Sequence, residues 1–251
     1  VATMEVAYRT SIGQQRADNE DYVDVFTNQA GQHLAIVADG IGGRQGGDVA
    51  SAMAVSHLGH EFVQTDLATP EAARTWISKE ITAENQSIID KSNQFADLNG
   101  MGTTLVAALY FAEEVVIASI GDSRAYLLRD DQLRQLTEDH SLVNELVKRG
   151  EISRQAARHH PQKNVIIRSL GISDDARFDL KTYPLVLGDQ LVLCTDGLTN
   201  MVEDQQIKAV LTSSLSVAEK CDRLVELANA AGGLDNITVL IIANSSQEVV
   251  D

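Results

Sequence analysis

The feature that most constrains this chain is a set of apolar runs, each of which abuts an aspartate. Leu34–Ala38 runs into Asp39-Gly40, Val115–Ile120 into Gly121-Asp122, and Leu191–Thr195 into Asp196-Gly197. Asp235-Asn236 immediately precedes the Ile237–Ile242 run, and Asp21 precedes Tyr22–Thr27. Short runs rich in β-branched residues and bounded by Gly, Asn or Asp read as strands. Five carboxylates therefore stand where a strand meets a loop, positions from which a rigid sheet can aim side chains into one shared site. For any one of them, Asp-Gly is ordinary turn chemistry, with Asp bonding its own backbone and Gly supplying a positive φ. As a group they read differently. The runs are almost wholly apolar, so the acids begin near the core, where carboxylates repel one another unless cations neutralise them. Oxygen-only ligands with no Cys or His nearby select hard ions, Mg²⁺ or Mn²⁺, over Zn²⁺.

Around these runs the chain alternates in blocks. Strands over Met4–Tyr8, Tyr22–Thr27 and Leu34–Ala38 are followed by a helix over Gly47–Gln64. Thr69-Pro70-Glu71 then opens a second helix as N-cap, N1 proline and first-turn acid. Thr103–Phe111, Val115–Ser119, Arg124–Arg129 and Gln132–Leu136 form an antiparallel meander with tight turns at Ala112-Glu113-Glu114 and Asp130-Asp131. Helical signal returns from Ser141 to Arg149 and from Ser153 to His159. Strands over Phe178–Tyr183 and Gln190–Thr195 and a short helix over Asp204–Leu211 come next. Ser216 and Glu219 make a capping box for a helix reaching Ala231, and Asn236–Ala243 closes as a strand. Strands and helices in clusters indicate an α+β fold with helices covering the outer faces of a sandwich. One domain over residues 4–243 is expected. Val1-Ala2-Thr3 reads as a remnant ahead of a native start, and residues 244–251 as a tail.

Composition narrows the function classes. Twenty Lys+Arg against 36 Asp+Glu leave a formal charge of −16 over 251 residues. That balance argues against nucleic acid or an anionic membrane as the main partner, since both require a basic footprint. The longest apolar runs are far short of the roughly 20 residues of a membrane helix. Cys194 and Cys221 are far apart in apolar surroundings, fit no metal spacing, and suggest a reducing, cytoplasmic setting.

Two further segments bear on chemistry. Gly40-Ile41-Gly42-Gly43-Arg44-Gln45-Gly46-Gly47 lacks the Gly-Lys-Ser/Thr ending of a Walker loop and fails the dinucleotide fingerprint at Gln45. It is either a site where backbone approaches a ligand closely or a flexible tight connection. Arg16, five residues before Asp21, is either a phosphate fork or a solvated charge.

With these residues in place, the chain resembles the metal-dependent Ser/Thr protein phosphatases of the 2C type, in their compact Gram-positive bacterial form. The matching segments are Arg16-x-x-Asn19-Glu20-Asp21, Val37-Ala38-Asp39-Gly40-Ile41-Gly42-Gly43, Gly100-Met101-Gly102-Thr103-Thr104, Gly121-Asp122-Ser123-Arg124, Asp139-His140-Ser141, Cys194-Thr195-Asp196-Gly197-Leu198 and Asp235-Asn236-Ile237-Thr238. They run in family order over nearly the whole chain. The resemblance implies an antiparallel β-sandwich of two sheets flanked on both faces by antiparallel helix pairs, with a metal site at one end. It implies that Asp39 bridges two Mn²⁺ or Mg²⁺ ions with the Gly40 carbonyl on one of them. Asp196 and Asp235 would ligate the second, Asp21 would act through water, and Asp122 would share a third, weaker ion with Asp196. Arg16 would grip the substrate phosphate, and residues 141–178 would form a flap.

The activity so implied is hydrolysis of phosphoserine and phosphothreonine in proteins by a water between two ions, without a phosphoenzyme. A monomer that opposes a bacterial Ser/Thr kinase is expected. The lack of a Cys-x5-Arg motif after Cys194 agrees with a mechanism that uses no thiol. One departure is Arg44, where many bacterial relatives carry a His suited to protonating the leaving alkoxide. An Arg is a poor proton donor at neutral pH. Either metal-bound water supplies the proton, or another group does, or Arg44 serves phosphate or peptide recognition instead. His140, His159 and His160 read as structural. Complete acidic positions favour an active enzyme over a silent fold that only binds phosphorylated partners, and the charge disfavours a two-metal nuclease.

Overall fold

The computed structural model describes residues 2–42 and 46–246, so Gly43, Arg44 and Gln45, in the glycine-rich loop, lie outside the described residues. Two antiparallel sheets stack face to face. One has the order β1-β11-β10-β7-β8, formed by β1 (Ala2–Ser11), β7 (Arg124–Arg129), β8 (Gln132–Gln135), β10 (Gln190–Cys194) and β11 (Ile237–Ser246). The other has the order β2-β3-β5-β6-β9, formed by β2 (Asp21–Thr27), β3 (His33–Ile41), β5 (Leu105–Tyr110), β6 (Glu114–Ile120) and β9 (Asp179–Pro184), with β4 (Gly102–Thr103) paired to the end of β3. Helices α1 (Gly47–Val63) and α2 (Pro70–Gln94) cover the second sheet, while α6 (Asp204–Leu211) and α7 (Val217–Ala230) cover the first.

The period of two explains why the central strands are apolar throughout. Along β3, Leu34, Ile36 and Ala38 face the helices α1 and α2, whereas Ala35 and Val37 face the opposite sheet. In β11, Ile237, Val239 and Ile241 face α7, while Leu240 and Ile242 enter the sandwich. Each central strand is thus buried on both sides, so neither face tolerates polar residues. Helix starts follow the chemistry expected of them. Thr69 accepts the Ala72 amide ahead of Pro70, and Ser216 and Glu219 form a reciprocal capping box. The hairpin at Asp130-Asp131 has φ of 49° and 59°, both left-handed, the geometry that matches the twist of a two-residue hairpin.

Several boundaries differ from the sequence expectation for identifiable reasons. β3 continues through Asp39 and Gly40 to Ile41 because β4 supplies partners, with Gly40 opposite Thr103. The expected strand over 103–111 is broken at Thr104, whose hydroxyl accepts the Asp39 amide at 3.0 Å. Asp196 opens a four-residue helix, α5 (Asp196–Thr199), instead of an open loop. β11 reaches Ser246, because β1 pairs Ala2 with Ser246 and Thr3 with Ser245. Val1 and residues 247–251 lie outside the described residues. The segment between β8 and β9 carries two short helices, α3 (Leu142–Lys148) and α4 (Arg154–Arg158), capped by Ser141 and Ser153. Among the described residues no helix is long and apolar enough to cross a membrane.

Antiparallel register gathers particular strand ends. The start of β2, the end of β3, the start of β5 and the end of β6 lie together, as Asp21 opposite Asp39, Val37 opposite Val106 and Leu105 opposite Ile120 require. The start of β7, the end of β10 and the start of β11 do likewise, through Arg124 opposite Cys194 and Cys194 opposite Val239. The β6–β7 turn joins the two sheets at this same end.

Helix α1 sits close to the sheet at Gly59, where an added Cβ would lie 2.1 Å from the Phe26 ring. Gly59→Ala must push Phe26 off its site, and overpacking of this kind costs about 1–3 kcal/mol. Urea unfolding should show a lower midpoint with an unchanged slope.

Candidate metal centre

The carboxylates at the gathered strand ends lie within one another's field, with Asp21 and Asp122 buried and Asp39, Asp196 and Asp235 half-buried. Asp21 opens β2 directly opposite Asp39 on β3 and is 6% exposed. Its Oδ2 accepts the hydroxyls of Thr195 at 2.9 Å and Thr238 at 2.6 Å, while its Oδ1 is buried without a partner. Burial pushes the Asp21 carboxyl up to about 7, with Asp196 and Asp235 adding repulsion and the two threonines opposing the rise. Burial also lifts Asp39 well above the ordinary range, reinforced by Asp21, Asp196, Asp122 and Asp235.

Asp122, in the β6–β7 turn, is raised well above the ordinary range by burial and then by Asp196 and Asp139, against the pull of Arg124. Asp196, at the head of α5, is raised by burial and by Asp235, and a hydrogen bond with Asp39 partly offsets this. Its Oδ2 accepts the Asn200 amide at 3.0 Å. The Oδ1 atoms of Asp122 and Asp196 are buried with no partner. Asp235 lies just before β11, where its Oδ1 accepts the Asn236 amide at 2.8 Å and its Oδ2 accepts Nη2 of Arg16 at 2.9 Å.

The backbone is built for close approach. A Cβ on Gly40 would lie 2.0 Å from the Gly47 carbonyl oxygen, and one on Gly197 would lie 1.8 Å from the Asn236 carbonyl oxygen. Glycine alone lets the end of β3 meet the start of α1, and lets α5 meet the loop that carries Asp235.

All five aspartates and Gly40 therefore share one end of the sandwich, with Arg16 at its rim and half exposed. Among the described residues no three His, Cys, Asp or Glu side chains form a preset metal-ligand group. Three orphaned buried carboxylate oxygens, mutual repulsion and an oxygen-only donor set nonetheless suit hard divalent cations. Arg44 lies outside the described residues. Cys194 is fully buried, and burial pushes its thiol up to about 12, so it presents no thiolate nucleophile at neutral pH.

Glu20, His140, Thr195, Asn236 and Thr238 fall inside the family-like segments, but nothing in the sequence says what their side chains bind. Thr195 and Thr238 lie in apolar strand contexts, yet both hydroxyls converge on Asp21. Asn236 ties the Arg16 loop to β11, donating to the carbonyls of Ile12 at 3.0 Å and Asp18 at 2.9 Å and accepting the Glu20 amide at 2.9 Å. The Glu20 carboxylate lies beside Gly47 at the start of α1, and its pKa is raised by burial and by Asp48. His140 is buried as well. Its Nδ1 accepts the Gly121 amide at 3.1 Å and its Nε2 meets Asp179 at 3.0 Å, so it braces the turn that carries Asp122. The sequence alone offers no means of pairing residues so far apart in the chain.

Comparison with known proteins agrees with this fold. The family model described as protein phosphatase 2C matches residues 10–231. The serine/threonine phosphatase stp of Listeria welshimeri is 48% identical over 95% of this chain and 95% of its own. A Streptococcus agalactiae serine/threonine phosphatase structure superposes with a TM-score of 0.92 at 42% identity, covering 96% of this chain and 99% of that one. The catalytic domain of the serine/threonine protein phosphatase PstP, solved in complex with two manganese ions, superposes with a TM-score of 0.86 at 34% identity, covering 98% of this chain and all of that one. With a family model spanning most of its length and relatives matched end to end, the chain belongs to the protein phosphatase 2C family, as an enzyme of the serine/threonine phosphatase class.

Proposed function

We propose that the protein hydrolyses phosphoserine and phosphothreonine in other proteins with the help of two Mn²⁺ or Mg²⁺ ions and a third, weaker one. The observation that carries this reading is the group of buried, mutually repelling carboxylates with unpartnered oxygens beside an arginine that reaches the rim. The two manganese ions in the related PstP structure support it. Asp39 and the Gly40 carbonyl, Asp196 and Asp235 would hold the core ions. Asp21 would act through water, and Asp122 with Asp196 would hold the third. Bound divalent ions supply charge neutralisation for a phosphate dianion and acidify water for attack on phosphorus.

The remaining work falls to the chain itself. Thr195 and Thr238 occupy one oxygen of Asp21 and leave the other directed to the site. Asn200 does the same for Asp196. Arg16 carries further N–H donors beyond its single contact with Asp235, and a guanidinium fork suits a phosphate. No group here forms a covalent intermediate. The buried thiols support a cytoplasmic setting. The stp-type relatives, named serine/threonine phosphatases, support phosphorylated proteins as substrates, among which this reading includes a Ser/Thr kinase.

Phosphopeptide turnover under a Mn²⁺ titration tests this reading. Wild type should be active and silenced by chelator, and Asp39→Asn should lose at least about 10³-fold in kcat, in line with losses at charge-stabilising groups. Metal-independent turnover, or none at all, would reject it. Arg16→Ala should lower kcat/KM by about 10- to 100-fold, the equivalent of one or two charge-assisted hydrogen bonds.

The carboxylates also set a pH dependence. A group whose folded pKa is raised contributes stability that is full below its unfolded value near 3.9 and lost as pH rises through its folded value. For Asp21 that folded value is about 7. Chelated protein should therefore melt at a lower temperature at pH 8 than at pH 5. Saturating Mn²⁺ should narrow that gap, and thermal scans of both forms at the two pH values measure it.

A further inference from the structure

A groove of about 800 Å³ leads away from the aspartate cluster, with Asp122 and Asp196 at one end. It lies along the open side of the sandwich, where the edge strands β8 and β9 of the two sheets contribute Arg134 and Lys181. Helices α3 and α4 form its other wall, with Arg154 and Arg158 from α4 and Lys163 from the turn that follows it.

Six carboxylates and six cations line it, but the two signs differ in how they are paired. The acids outside the aspartate cluster are already engaged. Asp139 takes Arg124 through two bonds of 2.8 and 2.6 Å, and Glu138 takes Lys148. Glu203 pairs with Arg158 at 3.8 Å, and Asp204 accepts the Tyr126 hydroxyl at 3.1 Å. Arg134, Arg154, Lys163 and Lys181 have no ion-pair partner among the described residues. Arg134 stacks 5.8 Å from the Tyr183 ring centroid, which orients its guanidinium and leaves its N–H donors free. Four unpaired cations line one groove of a chain whose formal charge is −16, and that groove begins where the phosphate would be cleaved.

We infer that this groove is a substrate-specificity site, which selects phosphoproteins carrying acidic side chains next to the phosphorylated residue. This rests on the phosphatase reading above. The phosphoresidue occupies the cluster, the flanking chain lies along β8 and β9, and its carboxylates meet Arg154, Lys163 and Lys181. Complementary charge of this kind acts on encounter and affinity, so it appears in KM and weakens with salt.

The test uses three phosphothreonine peptides of equal length, flanked by Glu, Gln or Lys, with p-nitrophenyl phosphate as a substrate too small to reach the groove. Wild type with Mn²⁺ should prefer the Glu peptide over the Gln peptide by about tenfold in kcat/KM, mostly through KM. The Lys peptide should be poorest, and added salt should erode the differences. In an Arg154→Gln, Lys163→Gln, Lys181→Gln variant the preference should fall to within about twofold, with p-nitrophenyl phosphate turnover unchanged. Equal use of the Glu and Gln peptides by wild type, or a preference that survives in the triple variant, would overturn the inference.

Fluorescence anisotropy of the same labelled peptides with chelated protein reads the groove without turnover. Preferential Glu-peptide binding that the triple variant loses supports the groove even if catalysis fails. Loss of all turnover alongside that preference rejects the phosphatase reading alone.

Discussion

Asp21 and Asp39 face each other across neighbouring strands, with Asp196, Asp122 and Asp235 in the same electrostatic field. Burial and like charge both oppose ionisation of Asp21, Asp39, Asp122 and Asp196, so the cluster persists only because other forces hold it. Backbone ladders fix Asp21 against Asp39, a turn fixes Asp122, and a helix start fixes Asp196. The threonine hydroxyls of β10's end and β11 then anchor one oxygen of Asp21. The site is a strained arrangement paid for by two hydrophobic layers and a sandwich interior in which central strands expose neither face.

The same logic explains where polar residues are buried. Asn236 stitches the loop carrying Arg16 to the strand behind Asp235, and Asn200 orients Asp196. Asn200 also donates to Asn164 at 3.2 Å, which links the segment between β8 and β9 to a carboxylate of the cluster. His140 braces Gly121 from the root of that segment. The groove and the placement of the acids are therefore mechanically continuous, since the elements that wall the groove also touch the residues that orient the cluster.

Much of this was legible in the chain. Two-sided burial of the central strands is written in unbroken apolar runs such as Leu34–Ala38, and the helix starts at Thr69 and Ser216 are written in capping chemistry. The aspartates at run ends marked the acids that the fold gathers at one end of the sandwich. Less legible were features that depend on partners distant in sequence. β3 continues past Asp39 because β4 pairs with it, and the long run after residue 102 breaks at Thr104 because that hydroxyl is engaged by the Asp39 amide. β11 extends to Ser246 because β1 offers a ladder. None of these choices is encoded in local propensity.

What the sequence determined by itself was the class of chemistry: an acidic chain with carboxylates at the ends of buried strands, motifs in family order, and no thiol nucleophile. Tertiary structure alone decided that the five acids share one field, that Thr195, Thr238, Asn200 and Asn236 serve them, and that four unpaired cations line a groove beside them. The physical reason is range. Periodicity and capping act over a few residues and can be read along the chain, whereas repulsion, hydrogen bonding and charge complementarity act through space. They connect Arg16 to Asp235, and bring Arg134 and Lys181 to one groove, only once the sheets have stacked.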